Sequence, residues 1–143
     1  MTVLDVGCGK YKRGDVGVDK HAYPGVDFIR DVDCEPLPFP DNAFSLVLSS
    51  HLVEHLENPE YAIKEMVRVC NGQVRITCPH RYGSYAKVSA DHKQFLNKRW
   101  FLRLAEKLGV QVHVRTVFMP VLYLGPVGLL MRPHELVVEL RKK

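Results

Sequence analysis

Three acids and two glycines in the first 33 residues have the types and spacing to bind an adenosine. Asp5-Val6-Gly7-Cys8-Gly9 closes one short apolar run, Asp19 closes a second, and Asp33 follows a third. Glycines at such a turn let a ligand approach the backbone. In an open α/β sheet, ligands sit beyond the carboxyl ends of the strands. An acid after the second strand can accept both ribose hydroxyls, and an acid after the third can reach an adenine edge. The dinucleotide pattern G-x-G-x-x-G fails, because the glycine after Gly9 is Gly14, and no G-K-[ST] is present for a P-loop. A cationic ligand suits these acids better than a pyrophosphate does. S-adenosylmethionine carries a sulfonium and is net cationic.

The elements that position these residues are short. Val3–Gly7, Val16–Asp19, Val26–Ile29 and Phe44–Ser49 read as buried strands. Asn58 is placed to cap a helix with Pro59 at its first position, an apolar stripe through Ala62, Ile63, Met66, Val67 and Cys70, and a stop at Asn71-Gly72. Gln73–Thr77 alternates as a fifth strand. Asn97 is placed to cap a second helix that stops at Gly109, and Val110–Val117 and Glu135–Leu140 read as the last two strands. Strands alternating with helices predict a mostly parallel α/β sheet in one domain, 1–143.

Composition narrows the class. The chain is 46% hydrophobic and 25% charged, which excludes a disordered or low-complexity protein. No run of eighteen apolar residues suggests a transmembrane helix, and no secretory signal is visible, so a cytoplasmic setting is expected. Cys8, Cys34, Cys70 and Cys78 never form C-x-x-C and read as reduced thiols, with no metal site. Residues 1–60 hold 11 acids against 5 Lys/Arg, and residues 61–143 hold 5 against 15. That asymmetry suggests partners of opposite character, or surface charge kept for solubility.

At this point the chain resembles the class I S-adenosylmethionine-dependent methyltransferases, in their type-11 branch. Val3-Leu4-Asp5-Val6-Gly7-Cys8-Gly9 resembles the first motif, Asp19 the ribose-binding acid, and Asp33-Cys34-Glu35-Pro36-Leu37-Pro38-Phe39 the adenine-side segment. Pro40–Phe44 leading into Ser49-Ser50-His51-Leu52-Val53-Glu54-His55-Leu56 resembles the fourth strand and its turn, and Asp91–Phe95 the segment before a later helix. The resemblance implies a Rossmann-like sheet, mostly parallel with an antiparallel last strand, and S-adenosylmethionine as cofactor. The implied cofactor set is Asp5, Gly7, Cys8, Gly9, Asp19, Lys20, Asp33, Cys34, Ser50 and His51. Asp5 would order the glycine turn or meet the ammonium group. The branch also has helices after its first and second strands. Here residues 8–15 and 20–25 are too short for a crossover helix, so these helices are expected to be absent or single turns.

One sheet face would then lack cover. The apolar insertion 117–133, a second subunit forming a homodimer, or both are expected to supply it. The same insertion could instead touch lipid or a greasy acceptor. Residues 79–96 read as a substrate lid. Across 79–99, Arg81, Lys87, Lys93, Lys98 and Arg99 stand against Asp91 alone, with Tyr82 and Tyr85 interleaved. Such a lid suits an anionic acceptor, a small molecule or glycan precursor before RNA.

Methyl transfer needs a general base only where the acceptor must lose a proton. His51 and His80 are the candidates, with a cofactor wall and a loop cap as their respective alternatives. His55, Arg81, Tyr82, Tyr85 and His92 are the expected acceptor contacts, with structural roles open for His55 and His92. Cys78 sits in a Thr-Cys context like that of cytosine-5 methyltransferases, but the turn after strand four reads Ser49-Ser50-His51 and lacks their Pro-Cys. A buried structural thiol is the expectation. A methyltransferase is the reading these features favour, and a cofactor-binding subunit without catalysis is the alternative.

Overall fold

The computed structural model describes residues 2–80, 93, 96–122 and 129–143. The element order is β1 (Val3–Val6), β2 (Val16–Asp19), β3 (Phe28–Ile29), β4 (Phe44–Ser50), a 3-10 turn (Val53–His55), α1 (Pro59–Val69), β5 (Cys70–Pro79), α2 (Lys98–Leu108), β6 (Val110–Leu122) and β7 (Leu129–Lys142). All seven strands form one sheet in the order β3-β2-β1-β4-β5-β7-β6. The pairs among β1 to β5 are parallel, while β7 is antiparallel to both β5 and β6. The expected architecture is present, including its antiparallel last strand. Residues 7–15 and 20–27 form turns and bends with no helix.

Strand alternation sends Leu4, Val6, Val18, Val47, Val74, Ile76, Val138 and Leu140 to one face, where all are buried with Ile63 and Met66 of α1 and Phe101 of α2. The opposite face carries Val3, Leu46, Leu48, Thr77, Val137 and Glu139, all partly exposed. Instead of folding back across that face, the described parts of 117–133 extend the β6–β7 pairing past the end of β5.

Local signals explain where elements begin and end, with two corrections. Asn97 caps α2 by accepting from Trp100 N at 3.0 Å, and Gly109 ends it at φ 66°. Asn58 provides no side-chain cap to α1. Asp33 serves that end instead, accepting from Glu57 N at 2.8 Å and from Asn58 N at 2.6 Å. Nor does Asn71-Gly72 stop α1, which passes straight into β5 at Cys70. Gly72 is needed for close approach, since a Cβ there would lie 2.1 Å from the Ser45 carbonyl oxygen of β4.

Candidate active site

The carboxyl ends of β1, β2 and β4 open into a cleft of about 790 Å³, within the usual range for a small-ligand site. Gly7, Gly9, Asp19, Lys20, Asp33, His51 and His55 line it. Asp5, Cys8, Cys34, Ser50 and His80 do not. Arg81, Tyr82, Tyr85 and His92 lie outside the described residues, as does most of the expected lid. Sequence reasoning named no role at the cleft for His21, Tyr23, Asp31, Val32 or Leu52, which also line it. Asp31 could have been found as the acid nearest the end of β3.

The glycine turn is built by backbone geometry and two acids. Gly7 and Gly9 have φ of 73° and 56°, the left-handed region that favours glycine. A Cβ on Gly7 would press on Leu52 at 2.9 Å, whereas the space over Gly9 is open to 4 Å. Asp19 Oδ2 accepts from Gly9 N and its Oδ1 accepts from His21 N, both at 2.9 Å. Each oxygen keeps a second lone pair for a ligand hydroxyl. Asp5 is fully buried, and its Oδ2 accepts from Arg13 N at 2.7 Å. Its Oδ1 has no partner among the described residues, the kind of buried orphan a ligand ammonium or an ordered water satisfies. Asp31 Oδ1 accepts from Asp33 N at 3.1 Å, so the two acids form one wall of the cleft. Open space over Gly9 and the acidic wall, both in the cleft lining, fit a cationic adenosine ligand.

His51 stands at the other wall, just past β4, in a strained setting. Its φ is 52°, costly for a residue with a Cβ. The backbone is held by His51 N donating to the Thr77 carbonyl at 2.8 Å. Nδ1 lies 3.4 Å from Oε1 of the buried Glu54, and Nε2 lies 3.1 Å from Oε1 of Glu135. Interaction with Glu54, assisted by Glu135, pushes the imidazole pKa up despite partial burial, so the cationic form is favoured. His55 Nε2 lies 4.0 Å from the same Glu54 oxygen. Neither Glu54 nor Glu135 was singled out from the sequence. Glu135 arrives from β7, 84 residues later, by a pairing that sets it opposite Pro79.

The remaining candidates have other surroundings. His80 N donates to the His134 carbonyl at 2.9 Å, closing the end of the β5–β7 ladder. Ser50 pairs in register with Thr77, and Cys34 is exposed. Cys8 is buried, and burial raises its thiol pKa. Cys78 is fully buried, and desolvation pushes its thiol well above the ordinary range, which suits an inert core residue. Lys93, from the expected lid, lines the cleft, donates its N–H to the Glu54 carbonyl at 2.9 Å and pairs with Glu57 at 2.6 Å. No helix among the described residues is long and apolar enough to cross a membrane.

Residues 10–77 match the model of a methyltransferase-domain family. Over 37 residues the chain is 57% identical to ajmaline N-methyltransferase of Rauvolfia serpentina, covering 26% of this chain and 13% of that protein. Over 66 residues it is 38% identical to demethylmenaquinone methyltransferase of Renibacterium salmoninarum, covering 46% of this chain and 27% of that protein. The matched stretches therefore span less than a third of either relative. A S-adenosylmethionine-dependent methyltransferase from Archaeoglobus fulgidus superposes with a TM-score of 0.75 at 17% identity, covering 98% of this chain and 85% of that one.

Proposed function

We propose that this chain, which has the class I methyltransferase fold, transfers a methyl group from S-adenosylmethionine to an anionic acceptor. The family match and the shared fold imply that cofactor. The observation that carries the reading is the cleft itself, where the Gly7–Gly9 turn and Asp19 face an acidic wall of Asp31 and Asp33. Bound there, the cofactor supplies an already activated methyl carbon. Asp19 would accept the ribose hydroxyls through its spare lone pairs. The Asp31–Asp33 wall would accept the adenine amino group, and the turn over Asp5 would receive the amino-acid end. His51 would line the methyl-transfer position, and Lys93 with the basic lid would draw in a negatively charged small molecule or glycan precursor.

The pair of carboxylates around His51 bears on catalysis. An imidazolium cannot take a proton, so His51 acts as a base only above its raised pKa. An acceptor that reacts without deprotonation needs only alignment in a dry site. Calorimetric titration of S-adenosylmethionine and S-adenosylhomocysteine into the wild type and Asp19→Ala tests the pocket. Binding that the substitution weakens supports the reading, and the absence of binding to wild type overturns it. Cofactor binding with no turnover to S-adenosylhomocysteine across phosphorylated acceptors would instead favour a cofactor-binding subunit.

A further inference from the structure

The ends of β6 and β7 leave the body of the sheet. The β5–β7 ladder finishes at Pro79 opposite Glu135, while the β6–β7 ladder runs on through Phe118–Pro133, Met119–Arg132, Pro120–Met131, Val121–Leu130 and Leu122–Leu129. Among the described residues no third strand pairs with this two-stranded arm. It projects past the carboxyl end of β5, the same end of the sheet as the cleft. Phe118 and Met119 are 51% and 44% exposed. From Val117 to Met131 the sequence contains no charged residue.

Exposed cations lie toward the root of the arm, where Glu135 of β7, opposite Val117, is engaged with His51. Arg115 is exposed on β6, and Arg132 occupies the register position opposite Met119. α2 turns back through Gly109 directly into β6, against which it packs, so its start lies toward the arm. Lys98 and Arg99 are exposed at that start. Exposed Phe118, Met119 and Pro120 beyond a group of exposed cations match an interface with hydrocarbon below and anionic headgroups above. Three paired residues beyond Arg132, at about 3.4 Å each, give the arm a reach of roughly 10 Å, the depth to which interfacial elements enter a bilayer. A second copy fits less well, because edge-to-edge pairing of two β6 strands would bring like-charged roots together.

We infer that the β6–β7 arm docks this protein on an anionic lipid surface. Phe118 and Met119 enter the interface while Lys98, Arg99 and Arg115 meet the headgroups. Joined to the proposed function, this would present the cleft to an acceptor carried in the membrane. The docking itself needs no methyl transfer, so either reading can fail alone.

Flotation of the whole chain with vesicles tests it. Phosphatidylcholine vesicles containing phosphatidylglycerol should carry the protein, and pure phosphatidylcholine vesicles should carry much less. Phe118→Asp with Met119→Asp should abolish flotation with melting temperature and cofactor titration unchanged. If that variant fails to fold, Lys98→Gln with Arg99→Gln, at exposed helix positions, should weaken flotation about fivefold per cation removed. No flotation of the wild type overturns the inference. So does equal binding to uncharged vesicles, or a stable dimer in solution whose formation the Phe118 and Met119 substitutions prevent.

Discussion

Replacing Asp19 by alanine removes one carboxylate that has two structural duties and one proposed binding duty. Gly9 N and His21 N each lose an acceptor at 2.9 Å. Hydrogen bonds to charged groups contribute about 1.5–3 kcal/mol each. Asp19 is partly exposed, so water replaces much of that, leaving a stability loss of about 1–2 kcal/mol. Melting should fall by roughly 3–8 °C for a chain of this size. Two ribose hydroxyls lost from the same carboxylate should weaken cofactor binding by a further 1.5–3 kcal/mol or so, about 10- to 150-fold in Kd. Asp19→Asn separates the two effects. Its single amide oxygen can serve Gly9 N or His21 N but not both, so it should melt low while keeping part of the affinity. Calorimetry with S-adenosylhomocysteine, run well below each melting temperature, reads the Kd. A drop in melting with Kd changed by less than about twofold in Asp19→Ala would refute the ribose assignment and leave Asp19 as an anchor of the glycine turn alone.

The raised pKa of His51 should appear in an NMR titration of its imidazole, and Glu54→Gln or Glu135→Gln should each lower it. Because the folded pKa lies above the unfolded one, the stability this group contributes is complete below the unfolded value and is lost as pH rises through the folded one. An unshifted His51 would sink the two-carboxylate account. Gly72→Ala puts a methyl 2.1 Å from a backbone oxygen of β4, which should cost about 2–3 kcal/mol, as overpacking does, and thermal denaturation should show it. Cofactor affinity should be unchanged there, since Gly72 is remote from the cleft. A thiol reagent should modify Cys34 in the native protein and reach Cys8, Cys70 and Cys78 only on unfolding. Rapid native modification of Cys78 would contradict its burial.

What the sequence made legible was mostly local. The first glycine motif, the cap at Asn97 and the stop at Gly109 each follow from one residue's conformational preference or one side-chain bond, and the structure has them. The shortness of the first two crossovers followed from counting residues against the length a helix needs. The surroundings of His51 were illegible because they are not local. Glu54 is three residues away but points inward from an irregular turn, and Glu135 is fixed by antiparallel register across the sheet. The α1 terminus was misplaced for a similar reason. Asn71-Gly72 is a good helix stop by type, but the requirement for glycine comes from the Ser45 carbonyl of another strand.

The acid excess of the first 60 residues has a structural use beyond any partner. Asp5 accepts from Arg13 N, Asp15 from Val3 N, Asp27 from Gly17 N, Asp31 from Asp33 N and Glu35 from Asp31 N. Asp19 and Asp33 each accept two more, at Gly9 and His21 and at Glu57 and Asn58. Of these donors, Gly9, Arg13 and His21 lie in the two short crossovers, and the others lie on β1 and β2 or in the loops after β3 and before α1. With no helices between β1 and β3, carboxylates take over the work of fixing the loops. Three of these acids, Asp19, Asp31 and Asp33, also line the cleft, so the carboxylates that anchor the loops are the ones the proposed cationic adenosine ligand would meet. That arrangement explains how so short a first half can still shape a cleft: carboxylates anchor main-chain N–H groups, and the spare lone pairs of Asp19, Asp31 and Asp33 would remain for the proposed ligand.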